Sequence, residues 1–252
     1  MLILKSNLFN QFPELVFGFN TKIGLNRKPP FHFNMSVSVS DDTNFVLENR
    51  KEFFKALGIN YEKNAAFQKQ IHSDIIKQVT SCGQQGESDA IITNKTGIAL
   101  AASSADCPAI FIYDKNKKVI AAVHSGWRGT EQKILEKTVD ELIQKYNSSQ
   151  DDLFVYIAPA ISQNHYEVGE EVAKQFAEKY TKPFGEKFLL DLKSANYDML
   201  INKKIPAEQI EVSELCSYEN SQFLHSYRRE GTKSGRSWGV IYLRGNDEFA
   251  KY

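Results

Sequence analysis

The chain has 252 residues, enough for one large domain with its own core, and its 31 Lys and Arg balance 31 Asp and Glu to a formal net charge of zero. With no long block of one sign, this argues against nucleic acid and anionic membrane surfaces as partners and favours a small ligand. No apolar run approaches membrane-spanning length, and the three cysteines, none in a CxxC pair, exclude a disulfide framework or a four-cysteine structural zinc site.

Before Lys5 stand only four apolar residues, too few for a signal-peptide core, so a cytoplasmic protein is expected. Phe17 to Lys22 reads as a short strand entering a turn, and Arg27-Lys28-Pro29-Pro30 as loop. From Asp42 to Leu57, Phe45, Val46, Asn49, Phe53 and Leu57 recur at helical spacing, with Asp41 and Asp42 at the start and Gly58 at the stop. Between Ala65 and Ile120 the pattern becomes β-like. Phe67, Lys69 and Ile71 fall on one face and Gln68, Gln70 and His72 on the other, and further short runs lie at 75–79, 90–93, 98–102, 109–113 and 119–123. Gly83, Gly86, Gly97 and Asn116 separate these runs, which read as buried strands of one sheet system. Helices are expected at Thr130 to Tyr146, on the stripe Leu135, Val139, Leu142 and Tyr146, at Val168 to Tyr180 and at Ser194 to Asn202. Strands are expected at 153–157 and 238–243. Helices and strands alternate without repeats or a linker, so a single α/β domain is the expected class.

Three ligand-type residues sit at ends of expected strands: His72 in QIHSD, Cys107 in SADCP and His124 in AAVHSGWRGT. Two imidazoles and a thiolate suit a catalytic zinc, whose fourth position stays open to water or substrate. Each residue also has a plainer reading, Cys107 as a small buried hydrophobe and the histidines as hydrogen-bonded structural residues. The SGWRG turn offers Arg128 and backbone N–H groups to an anion; its alternative is a tight turn with Trp127 in the core and Arg128 paired to a carboxylate. A second basic cluster, Ser226 to Arg236, reads either as solvated loop or as a segment closing over phosphate. Asp106, Asp74 and Asp89 neighbour the candidate ligands and could handle a proton or orient an imidazole. His165, Cys82, Cys216, His225 and His32 read as structural or surface residues.

Taken together, GFNTK at 18–22, SVSDD with ENR at 48–50, QIHSD, SDAIIT, SADCP, AAVHSGWRG, YEVGEEV at 166–172, HSYRREG and SGR resemble, in order and over nearly the whole chain, the laccase-domain family. That family was first labelled multicopper polyphenol oxidases and later recognised as purine nucleoside phosphorylases with adenosine deaminase activity. The resemblance implies one α/β domain over 1–252, of layered mixed β-sheets and helices, similar in core to deamidating toxins of the cytotoxic necrotizing factor kind. It implies zinc on His72, Cys107 and His124, phosphorolysis of adenosine, inosine, guanosine and methylthioadenosine, and hydrolytic deamination of adenosine. Some bacterial relatives are described instead as editing factors for peptidoglycan precursors.

On this reading Cys107 and His124 belong to the catalytic centre, Asp106 or Asp74 handles the proton, and Arg128, Arg229 or Lys22 meets the phosphate. The partners are a nucleoside and phosphate, with the chain a monomer or weak homo-oligomer. Lys22 stands where the family has Arg, Ser73 where it has Gly, Ser125 where it has Ala, and IAPAI at 157–161 lacks the Gly and Cys of IGPCI. Zinc is expected rather than copper, since five histidines are too few for a full multicopper set. A single copper on the same trio and a metal-free hydrolase with His124 activating Cys107 remain alternatives.

Overall fold

The strands Ala109–Asp114, Val119–His124 and Leu153–Ile157 are buried at every position. A strand can be so only when both faces of its sheet are covered. A computed structural model, which describes residues 1–245, shows how.

The chain begins with β1 (Ile3–Leu4), β2 (Leu15–Asn20), α1 (Thr43–Ala56) and a one-turn α2 (Tyr61–Asn64). Seven strands follow: β3 (Ala65–Lys69), β4 (Ile76–Gln78), β5 (Gly83–Glu87), β6 (Ala90–Thr93), β7 (Ala99–Ser104), β8 (Ala109–Asp114) and β9 (Val119–His124). Then come α3 (Trp127–Glu131), α4 (Ile134–Tyr146), β10 (Leu153–Ile157), β11 (Glu167–Val168), α5 (Glu170–Ala173), β12 (Thr181–Phe184) and β13 (Lys187–Leu190). The chain closes with α6 (Leu192–Asn202), β14 (Ile210–Val212), α7 (Tyr227–Glu230) and β15 (Ser237–Leu243).

The strands form two six-stranded mixed sheets, β1-β2-β15-β7-β3-β5 and β14-β10-β8-β9-β6-β4, and a small sheet β11-β13-β12. This corrects the expectation of one sheet system: from β3 to β8 the chain alternates between the two large sheets. Period-two alternation sorts the side chains into layers. Trp238, Val240 and Tyr242 of β15 pack with Phe53 and Phe54 of α1, whereas Ile241 and Leu243 join Phe17, Phe111 and Tyr156 between the sheets. On β9, Ile120 and Ala122 enter that same central layer, while Val119, Ala121 and Val123 meet Leu135, Val139 and Leu142 of α4 and Leu200 of α6. The result is helix, sheet, sheet, helix.

The helix expected from Asp42 is present, with the Asp42 carboxylate accepting from Asn44 N, although Phe45 is exposed and lies under the Arg27 guanidinium. The helix expected over 130–146 is in fact two. Trp127–Glu131 forms one turn, the chain passes through a left-handed Lys133 (φ 62°), and α4 then runs on. Gly83 and Gly86, expected as separators, lie within β5 at φ 101° and 74°. Between Val168 and Tyr180 only Glu170–Ala173 is α-helical, because Val168 is drawn into pairing with Phe188 and the apolar residues fill a satellite cluster against Leu190 and Leu192. The final strand and the helix near Ser194 are where the sequence puts them.

Phe111 of the second sheet packs onto Gly239 of β15 in the first. A Cβ there would lie 2.2 Å from Phe111 Cζ, so the absence of a side chain leaves room for the tip of the ring. Replacing Gly239→Ala should cost about 1–3 kcal/mol by overpacking, seen as a lower urea midpoint with an unchanged slope.

Candidate metal centre

Three times the chain passes from the first large sheet to the second: β3 to β4, β5 to β6 and β7 to β8. The crossings carry His72, Asp89 and Cys107 respectively, and β9 delivers His124 as its last residue. The ligand atoms of His72, Cys107 and His124 lie within 4.8 Å of one another, and the two imidazoles meet edge to face with centroids 4.8 Å apart. His72 is exposed, Cys107 half-buried and His124 buried, so the cluster opens to solvent on the His72 side.

Asp89 assembles this corner. Antiparallel pairing of β6 with β9 sets Ala90 opposite Val123, which brings Asp89 beside His124; His124 N donates to the Asp89 carbonyl at 2.7 Å. The fully buried Asp89 carboxylate accepts from His124 Nδ1 at 2.8 Å through Oδ1, leaving Nε2 to face the cluster. It also accepts from the backbone N–H groups of Ile71 (3.2 Å), His72 (3.1 Å) and Ser73 (2.6 Å) and from Ser73 Oγ (2.7 Å). Those bonds hold His72 in a left-handed turn at φ 60°, not on the strand face expected from alternation; β3 has already ended at Lys69.

Cys107 is placed by its neighbour. Asp106 sits at φ 107°, a conformation costly for a residue with a Cβ, and three bonds fix it there. Its carboxylate accepts from Ser217 Oγ and Arg228 N, both at 2.6 Å, and its carbonyl accepts from Ile161 N at 2.8 Å. Gly126 completes the enclosure: a Cβ there would lie 2.9 Å from His72 Cδ2 and 3.0 Å from Cys107 Sγ, so only glycine lets the SGWRG turn close over the cluster.

Burial alone would raise the Cys107 thiol, but His124 and His72 beside it outweigh burial and bring it down to about 6. Burial opposes charge on His124 as well, yet Asp89 and Cys107 lift it to about 9. Without a metal the two therefore stand as thiolate and imidazolium. Asp89, which burial would raise, is held below the ordinary carboxylate value by His124 and Ser73. A thiolate and two imidazoles, one already oriented by a carboxylate, are the donors that zinc or copper takes.

The remaining sequence candidates fare differently. Asp74 is half-exposed and ion-paired to Lys137 of α4, and Asp106 has both carboxylate oxygens committed to the protein; neither is free to move a proton as expected. Arg229 donates to the carbonyls of Ser217, Tyr218 and Leu224 and to Glu230, which makes it a brace for the 217–224 loop and not an available anion ligand. Arg128 does not enter the core and pairs with no carboxylate among the described residues; it is exposed and stacked 4.3 Å from the Trp127 ring centroid. Lys22 lies 3.6 Å from Glu230 with a side chain only 11% exposed.

Three further residues went unrecognised in the sequence. Tyr166, from the YEVGEEV run, has its phenol raised well above the ordinary value, first by burial and then by the negative Cys107 and Asp106, with Arg228 and Arg128 opposing. Arg228 stacks over Tyr166 at 5.2 Å and Arg236 over Tyr227 at 5.3 Å. Together with Arg128 on Trp127 they give the centre a rim of guanidinium and aromatic pairs. The only signal for them was the wording of the motifs, since nothing in their spacing points at Cys107.

The sequence model of a family described as multi-copper polyphenol oxidoreductase laccase matches residues 16–244. A protein of Clostridium acetobutylicum named purine nucleoside phosphorylase is 33% identical over 219 residues, covering 83% of this chain and 86% of that protein. A protein from an unknown prokaryotic organism named adenosine deaminase is 30% identical over 232 residues, covering 84% of this chain and 87% of its own length. Among solved structures, a hypothetical protein YfiH of Bacillus licheniformis superposes with a TM-score of 0.89 at 30% identity, covering 96% of each chain.

Two outcomes follow from this geometry. Asp89→Asn should weaken zinc binding by about 10–100-fold, measured by competition with a chromophoric chelator, because the Nδ1–H of His124 loses its anionic partner. His225, buried from solvent, is lowered from 6.5 to about 3 chiefly by burial, reinforced by Lys22, His32 and Arg236. Below pH 6.5 the unfolded chain takes up a proton that the folded one refuses, so stability is full above that value and falls by about 1.4 kcal/mol per pH unit toward 3. Urea unfolding in phosphate-free buffer between pH 7 and 4 should show that slope, and the His225→Gln variant should lack it.

Proposed function

The chain belongs to the multi-copper polyphenol oxidoreductase laccase family, and from that membership we propose that it is a zinc-dependent enzyme of purine nucleosides. It would cleave adenosine, inosine, guanosine and methylthioadenosine by phosphorolysis and deaminate adenosine by hydrolysis, in the cytoplasm. The observation that carries this reading is the convergence of His72, Cys107 and His124 on one point, in a chain whose relatives bear phosphorylase and deaminase names. Zinc is preferred to copper because the chain holds five histidines, of which two serve this cluster, too few for a trinuclear copper set with a separate fourth copper.

His72, Cys107 and His124 would hold the ion, which when bound supplies Lewis-acid polarisation and activation of water. His124 would offer Nε2 to the ion in its deprotonated form, while Asp89 holds the proton on Nδ1 and with it the angle of the ring. Tyr227, exposed and beside the Arg236 guanidinium, offers a ring on which a purine could stack, while Trp127 and Tyr166 pack into the satellite cluster with Arg128 and Arg228 over their rings. The Tyr166 phenol, kept protonated beside Cys107, would serve as the donor to a nitrogen of the departing base. Asp106 acts as a positioning residue for Cys107.

Zinc-loaded protein given adenosine or inosine is expected to release adenine or hypoxanthine only when phosphate is present, and to form inosine from adenosine without it. Chelation should abolish both reactions. Failure to release a base or form inosine under any of these conditions would overturn the assignment.

A further inference from the structure

Among the described residues nine carry a buried side-chain polar atom with no hydrogen-bond partner, and two of them, His225 and Glu230, lie beside the same lysine, Lys22. His225 is 2% exposed and neither ring nitrogen makes a well-aligned hydrogen bond, although the Phe33 backbone favours its charged form. Glu230 uses Oε1 for Arg229 at 2.8 Å and for Lys22 at 3.6 Å, but its Oε2 is buried and unpaired. Leaving such groups unsatisfied costs on the order of 1–3 kcal/mol each, so their presence together calls for an occupant.

They share one neighbourhood. Lys22 is 3.6 Å from Glu230, and its charge, with those of His32 and Arg236, acts on His225. The ring of His225 cannot swing away, since Gly235 packs so tightly that a Cβ there would be 2.5 Å from Cε1. The metal cluster is close by. At one end of α7, Arg228 N is bonded to Asp106, the residue before Cys107; at its other end Glu230 faces Lys22. The two residues stand two positions apart on α7, about 3 Å of helical rise.

We propose that Lys22, His225, Arg236 and Glu230 form the phosphate subsite, built for the monoprotonated ion. This assignment rests on the phosphorolytic reading above and replaces Arg128 and Arg229 as the expected ligands. Monohydrogen phosphate has three acceptor oxygens and one hydroxyl. Lys22, Arg236 and a His225 N–H donate to the oxygens, and the phosphate hydroxyl donates to Glu230 Oε2. Lys22 and Arg236 offset the ion's charge: Arg236 donates to the Ser234 and Gly235 carbonyls through Nη1, whereas Arg229 is spent on carbonyls through both Nη1 and Nη2. Sulfate has the same shape and charge but no proton. It would leave Glu230 Oε2 unpaired and facing an anionic oxygen, so the subsite discriminates against it.

The test is calorimetric titration of inorganic phosphate and of sulfate into the zinc-loaded full-length protein and four variants. Phosphate should bind the wild type at least about tenfold more tightly than sulfate. His225→Leu and Lys22→Met should each weaken phosphate by about tenfold or more, with Lys22→Arg restoring it. Glu230→Gln, which turns the acceptor into a donor, should narrow or reverse the preference over sulfate. Zinc content checks that each variant is folded; if His225→Leu fails that check, Lys22→Met decides. Undetectable phosphate binding by the wild type, equal affinity in wild type and Lys22→Met, or equal binding of sulfate would overturn the assignment. Phosphate binding that depends on these residues, without release of any base from nucleosides, would support the subsite and refute phosphorolysis.

Discussion

One carboxylate bears more of this structure than any other group. Asp89 lies on a crossing between the two large sheets, and its oxygens gather the imidazole of His124 from one sheet and three successive backbone N–H groups from the turn after β3. A buried charge is tolerable only when it is paired and fully hydrogen-bonded, and five donors accomplish that here. Because the same two oxygens orient one ligand ring and fix the backbone of another, His72 and His124 cannot be placed independently. Cys107 has its own anchor in Asp106, so the cluster rests on two buried carboxylates, neither of which is a ligand in it.

Much of the fold was legible because burial on both faces leaves a plain mark. Runs such as AIFIYD and VIAAVH are apolar up to their last residue, and α1 carries both its stripe and its cap in sequence. What periodicity does not carry is which sheet a strand joins, and here successive strands change sheets, so an apparently continuous β region is two interleaved ones. The hairpin β12–β13, with Gly185 at φ 59° in its two-residue turn, was written in the sequence as a turn signal but was masked by helical spacing before it. The metal ligands were legible by residue type and by resemblance. The roles of Asp74, Asp106 and Arg229 were not, since adjacency in sequence to a ligand says nothing about which partners a side chain has already taken.

Three of the departures from the pattern that the resemblance implies have local explanations. Ser73, in place of glycine, adds a hydroxyl bond to Asp89, and Ser125, in place of alanine, pairs with Thr130 Oγ1 at 2.9 Å beneath the SGWRG turn. Lys22, in place of arginine, meets a single oxygen of Glu230, a contact suited to a compact point charge and not to a planar fork. Each exchange alters the second layer around the cluster and leaves the three ligand positions untouched. Gly126 is the counter-example within the turn itself, a residue that contributes only the space its missing side chain does not fill.

The last strand has a consequence for how the protein is made. β15 lies between β2 and β7 in the middle of the first sheet, though it is the final strand of the described chain. A ribosome therefore releases His72, Cys107 and His124 well before the strand that joins the two halves of their supporting sheet. Until β15 inserts, β2 and β7 both present open edges in a nascent chain, and the segment 226–236, which braces Cys107 through Asp106, has not yet been synthesised. The three candidate ligand residues thus leave the ribosome before the sheet that supports them is complete.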